Sequence, residues 1–177
     1  MTRTVRHESL PVIGWREWVG LPELGIPAVK AKIDTGARTS ALHAVNVERF
    51  QRRGEAWVRF EVHPHQRDLE NSVIAEAAVI DERTVRNSGG HAEHRPVIKT
   101  QVEIGESVVE IELTLTNRAL MGFRMLLGRE AVRHRFLVDP GDSFLHHETP
   151  PEARVKKAKK KKKSTKKKST KQRASTE

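Results

Sequence analysis

The residues with the clearest capacity for chemistry lie in one ten-residue stretch, 31–40, which reads Ala-Lys-Ile-Asp-Thr-Gly-Ala-Arg-Thr-Ser. It sets a single carboxylate, Asp34, in an Asp-Thr-Gly-Ala turn directly after an apolar strand pattern. Carboxylates hydrolyse peptide bonds in pairs around one water, because mutual repulsion splits their pKa values so that one acts as base and the other as acid. One copy of the motif supplies half of such a site. Gly36 permits a sharp turn where a Cβ would crowd a facing loop, and the Thr35 hydroxyl can hydrogen-bond across to a counterpart. Asp and Gly also mark ordinary turns, so the tripeptide alone does not decide between the two readings.

A second signal follows the first at residues 123–130, Phe-Arg-Met-Leu-Leu-Gly-Arg-Glu. Leu126 and Leu127 read as a buried strand behind the Asp34 turn, and Gly128 allows close backbone approach beneath it. A helical pattern runs over 130–135. In order and register the two motifs resemble retropepsin-like aspartic peptidases, whose Asp-Thr-Gly-Ala turn presents the catalytic carboxylate. In that family an apolar-apolar-Gly-Arg segment follows the flap and precedes a single short helix. The resemblance implies Asp34 as catalytic residue, Thr35, Gly36 and Ala37 as the active-site loop, and Leu126, Leu127, Gly128 and Arg129 as its structural support.

The elements that must position these residues read as strands. Residues 10–19 form a strand broken at Gly14, and Leu21-Pro22-Glu23-Leu24-Gly25 supplies turn chemistry before a strand that delivers 29–33 to the Asp34 turn. Trp15 and Trp18 read as packing aromatics. Residues 40–47 continue as a strand, 56–62 alternate with Val58, Phe60 and Val62 on one face, and 72–80 form another strand, with Arg52-Arg53-Gly54 as the first turn. Residues 83–95, polar and Gly-containing, stand where a flap would be. The clearest hairpin pairs 96–104 with 107–116 through Gly105-Glu106, and 136–139 form a closing strand.

Composition bounds the class. A chain of 177 residues fits one domain of ordinary size. With no cysteine, nothing suggests disulfides, thiol catalysis or a thiolate zinc site. No apolar run reaches membrane-spanning length and no secretory h-region opens the chain, which predicts a cytoplasmic protein without membrane contact. Residues 152–177 hold eleven Lys and two Arg against two Glu, so this segment carries +11 and residues 1–151 sum to −1. Such a segment has almost nothing apolar to bury and is expected to be disordered, with counterion release available for contact with ribosome or RNA. The expected organisation is a flexible 1–9, a peptidase domain over 10–148 and a basic tail over 149–177.

Four segments taken together are similar to a bacterial family labelled ATP-dependent zinc proteases, retropepsin-like in fold. They are Gly-Trp-Arg-Glu-Trp-Val-Gly-Leu-Pro, Lys-Ile-Asp-Thr-Gly-Ala-Arg-Thr-Ser-Ala-Leu-His, Leu-Thr-Asn-Arg and Met-Leu-Leu-Gly-Arg. The family is linked to ligases that add glutamate tails to a ribosomal protein, and the resemblance implies a peptidase that trims such tails. No Gly-x-x-x-x-Gly-Lys-Ser/Thr loop is present, so no ATP site is visible. The histidine pairs 63/65, 91/94 and 146/147 form no His-Glu-x-x-His helix, and the reading takes no cofactor and no metal.

Retroviral relatives carry an acidic residue after Asp-Thr-Gly-Ala that pairs with the Arg of Gly-Arg, whereas Arg38 stands there here. Arg129 therefore needs another partner. Arg38 either binds substrate carboxylates by bidentate hydrogen bonds or pairs with a structural acid. The expectation is a mainly β, retropepsin-like barrel with one short helix and a disordered basic tail. It would work as a homodimeric aspartic endopeptidase on acidic peptides or proteins. The alternatives are a non-catalytic module that docks on ribosome or nucleic acid through its tail, and a zinc-dependent peptidase.

Overall fold

The computed structural model describes residues 10–65, 71–86, 90 and 92–147. The expected loose N-terminus and the Lys-rich tail lie outside the described residues. Eleven strands and one helical turn make up the rest: β1 (Val12–Gly14), β2 (Arg16–Leu21), β3 (Ile26–Asp34), β4 (Ser40–His43), β5 (Val45–Arg52), β6 (Glu55–Val62), β7 (Val73–Arg86), β8 (Ala92–Ile104), β9 (Ser107–Thr116), β10 (Met125–Gly128), α1 (Arg129–Val132) and β11 (Leu137–Asp139). No described helix is long and apolar enough to cross a membrane.

Six strands close into a barrel in the order β2-β3-β10-β4-β9-β8, with β8 returning to β2 at Gly20 and Glu103. Closure removes the exposed strand edges that an open sheet would leave. The far ends of β8 and β7 run on past the barrel and carry β6 and β5 as an extension of the sheet. Alternation decides which side chains fill the barrel. Along β3, Val29, Ala31 and Ile33 point inward, while Lys30, Lys32 and Asp34 lie on the outer face. Leu21, Ile26, Leu42, Ile98, Ile104, Leu113, Met125 and Leu127 are fully sealed from solvent in the same core. Each such side chain contributes about 1.5–3 kcal/mol by leaving water.

The N-terminal hairpin forms as the sequence indicates, with a 3₁₀ turn over Pro22–Leu24 joining β2 to β3. Arg53 and Gly54 take φ of 53° and 83° in the β5–β6 hairpin, the positive pair that matches strand twist in a two-residue turn. Three expectations are refined. The strand expected over 40–47 breaks at Ala44, whose N–H bonds Thr116 O at 3.0 Å, as the chain leaves the barrel for β5. The segment 83–95, expected where a flap would be, is mostly paired strand rather than open loop, with Arg83 opposite Arg95 and Arg86 opposite Ala92. Its residues are polar because both faces of this projecting hairpin are largely wet. Residues 87–89 and 91 lie outside the described residues. The helical pattern over 130–135 gives one turn only, because Arg133 is already extended and His134 takes φ of 64°.

Candidate active site

Asp34 ends β3, and its neighbour in the sheet is Gly128, the last residue of β10, which runs parallel to β3. The next strand in sequence, β4, lies on the other side of β10. Residues 35–39 must therefore cross over the end of β10. Gly128 makes that crossing possible: a Cβ there would stand 2.5 Å from Thr39 C, 2.7 Å from Thr39 O and 2.9 Å from Arg38 O. Its N–H donates to Ser40 Oγ at 3.1 Å in a buried bond.

The loop is fixed at both ends. Asp34 Oδ1 accepts the N–H groups of Gly36 and Ala37, each at 3.1 Å, the self-bonding turn to which Asp is suited. The first N–H groups of α1, which have no partner within the helix, donate to the crossing segment: Arg129 to Ala37 O at 2.8 Å and Glu130 to Arg38 O at 3.1 Å. Arg129 Nη1 adds a bond to Thr35 O at 3.1 Å. Thr35 and Gly36 remain exposed at the crest, and Asp34 is half-buried beneath them. One carboxylate is thus held in fixed geometry on the outer face of the barrel, with Oδ2 taking neither loop bond.

Leu127 is buried in the core, Leu126 half-buried on the Asp34 side of β10, and Gly128 sits under the loop. Arg129 serves the loop through a backbone carbonyl, not a carboxylate. Arg38 lies 3.8 Å from Glu130 with its side chain 79 % exposed, a loose pair worth little. It lines a cavity of about 240 Å³ that also holds Glu110, Glu112 and Glu130, so its surroundings are acidic. Trp15 packs edge-on against Phe123, and Trp18 stacks on Phe144. Among the described residues no three His, Asp or Glu side chains come together as a metal site; His91 lies outside them.

Two residues of the family-like motifs meet at the end of β10 away from the Asp34 loop, where the His43 N–H bonds Arg124 O at 2.7 Å. His43, at the end of β4, is buried, and its Nδ1 accepts the Arg118 N–H at 2.8 Å. Burial first, then the neighbouring Arg124, His63 and Arg118, lower its pKa to about 4, so it is neutral at ordinary pH. Arg118 is half-buried in the loop after β9, with Nε on Phe123 O at 3.3 Å. Burial and the nearby Arg95 lower its pKa, while the charge of Asp34 acts to raise it. The signal that could have drawn notice to both was their place in two of the family-like phrases, Ala-Leu-His and Leu-Thr-Asn-Arg, which periodicity treats as strand end and connector.

A closed six-stranded barrel whose Asp-Thr-Gly loop crosses over an apolar-apolar-Gly-Arg strand defines a retropepsin-like fold. The chain belongs to the RimB-like family, described as retropepsin-like aspartic endopeptidase RimB, which its residues 12–149 match. It is 54 % identical over 129 residues to a probable alpha-L-glutamate ligase of Desulfotalea psychrophila, covering 73 % of this chain and 28 % of that protein. A protein of the same description from Shewanella pealeana is 50 % identical over 133 residues, 75 % of this chain and 29 % of its own length. The chain thus spans less than a third of these relatives. Among solved structures, a Legionella pneumophila protein described as of unknown function (DUF785) superposes with a TM-score of 0.65 at 28 % identity. The match covers 78 % of this chain and 99 % of that one.

Proposed function

We propose that this chain is an aspartic endopeptidase that acts as a two-fold homodimer on acidic peptides, trimming glutamate tails from a ribosomal protein. The observation that carries the reading is Asp34, half-buried under an exposed Thr35-Gly36 crest and fixed by two backbone N–H groups. An isologous pair of such crests brings two carboxylates around one water. One carboxylate takes a proton from the water as its oxygen attacks the scissile carbonyl carbon. The protonated partner hydrogen-bonds the carbonyl oxygen, and the leaving amine departs with a proton. The description of the relatives as glutamate ligases supports a substrate bearing glutamate. The Lys-rich segment 152–177 supplies contact with the ribosome or RNA.

The test is cleavage of oligoglutamate-bearing peptides by wild type and Asp34→Asn, each with and without chelator, alongside sedimentation of both. Loss of cleavage in the Asn variant, with dimerisation intact and no effect of chelator, is the expected result. Full activity in Asp34→Asn, or loss on chelation, overturns it.

A further inference from the structure

Strand register sets a row of cations on the face of the sheet that ends at Asp34. β2 and β3 pair with Arg16 opposite Lys32 and Trp18 opposite Lys30. The residues between them, Glu17 and Val19 on β2 and Ala31 and Ile33 on β3, are buried inside the barrel. Arg16, Trp18, Lys30, Lys32 and Asp34 therefore share the outer face. Residues two apart on one strand stand roughly 7 Å apart, so Lys32 lies one such step from Asp34 and Lys30 lies two. Lys32 is exposed, and Arg16 and Lys30 are half-buried.

Aromatic rings, not carboxylates, hold the two half-buried cations. The Arg16 guanidinium carbon lies 4.4 Å from the Trp15 ring centroid and 4.8 Å from that of Phe144. Lys30 Nζ lies 5.3 Å from the centroid of Phe123. Trp15 meets Phe123 edge-on, and Phe144 stacks on Trp18, so the rings form a packed support under the cations. A ring face orients a cation without cancelling its charge. Arg16, Lys30 and Lys32 take part in none of the ion pairs among the described residues. The row thus keeps its positive charge right up to the carboxylate.

Resting on the peptidase reading above, we infer that the outer face of β2 and β3 is the docking strip for the acidic part of the substrate. Lys32 takes the carboxylate nearest the scissile bond, and Lys30 and Arg16 supply the field beyond it. An extended peptide also sets alternate side chains roughly 7 Å apart on one side, so glutamates at every second position match the step from Lys32 to Lys30. A strip that ends at Asp34 holds the chain that Asp34 cuts, which favours an acidic peptide over a nucleic acid. Ring faces that could stack on nucleobases are used within the protein, those of Trp15 and Phe144 by Arg16 and that of Trp18 by Phe144. The recess around Arg38, lined by Glu110, Glu112 and Glu130, repels such a peptide.

Because Lys32 is exposed, its variants change the contact without emptying the core. In the Asp34→Asn background, binding of a fluorescent oligoglutamate peptide is measured at fixed salt with Lys32, Lys32→Gln and Lys32→Glu, with oligouridylate as a second probe. In the Asp34 background, kcat/KM is compared for matched peptides carrying Glu, Gln or Lys beside the scissile bond. We expect Lys32→Gln to weaken oligoglutamate binding about threefold and Lys32→Glu about tenfold, with the Glu-over-Gln ratio of kcat/KM falling by similar factors. Lys32→Glu should also raise kcat/KM for the Lys peptide, since the repulsive partner has been exchanged. No oligoglutamate binding, or unchanged binding and an unchanged ratio in folded Lys32→Glu, overturns the assignment. An equal fall for all three peptides also overturns it, placing Lys32 with Asp34 and not with substrate. Loss of oligouridylate binding alone overturns it too, making the strip a nucleic-acid face. If no peptide is cleaved but oligoglutamate binding depends on Lys32, the peptidase reading fails and the strip stands.

Discussion

Acid should weaken this fold through one buried side chain. His43 is 2 % exposed, and burial together with Arg124, His63 and Arg118 brings its pKa down from 6.5 to about 4. Its Nδ1 must keep a lone pair free for the Arg118 N–H, so the folded chain holds the ring neutral. Unfolded, the same ring takes a proton at its ordinary pKa. Between those two values the unfolded chain binds more protons, and stability, complete above the unfolded pKa, falls as pH falls through the window. The loss reaches about 3 kcal/mol by pH 4, a large share of the roughly 5–15 kcal/mol typical of domains. Urea denaturation at several pH values, followed by tryptophan fluorescence at one protein concentration, measures it for wild type and for His43→Asn. The Asn amide oxygen can replace Nδ1 as acceptor but cannot be protonated in this range. The wild-type curve should drop relative to the variant by the stated amount between pH 7 and 4. Parallel curves would refute the argument that a neutral, buried His43 is required.

Two further outcomes test how the Asp34 loop is held. Gly128→Ala should destabilise the fold by about 1–3 kcal/mol, as overpacking does, and reduce cleavage in step, because the added Cβ meets the Arg38–Thr39 backbone; thermal melting and peptide cleavage read both. Ser40→Ala leaves the buried Gly128 N–H unpaired and should cost about 1–3 kcal/mol in denaturant melts, whereas Ser40→Thr, which keeps a hydroxyl, should cost less.

The sequence by itself determined much that is local. Asp-Thr-Gly-Ala after Val29–Ile33 dictates a tight turn at a strand end, Arg53-Gly54 and Gly105-Glu106 dictate hairpins, and the alternation along 107–116 dictates a half-buried strand; each rests on backbone preference and period-two burial over a few residues. Residues 83–95 read as a flap only from their place between the two motifs, because a strand wet on both faces has no hydrophobic period to announce it. Only the tertiary structure decided what lies beside what. The parallel pairing of β1 with β11, and of β10 with β3, joins segments far apart in the chain, and no local pattern encodes a partner at that separation. The same holds for the site: Arg38 turns toward glutamates, and Arg118, a connector residue in the sequence, meets His43 because β4 and β9 run side by side and carry His43 and the loop after Thr116 to one end of the barrel.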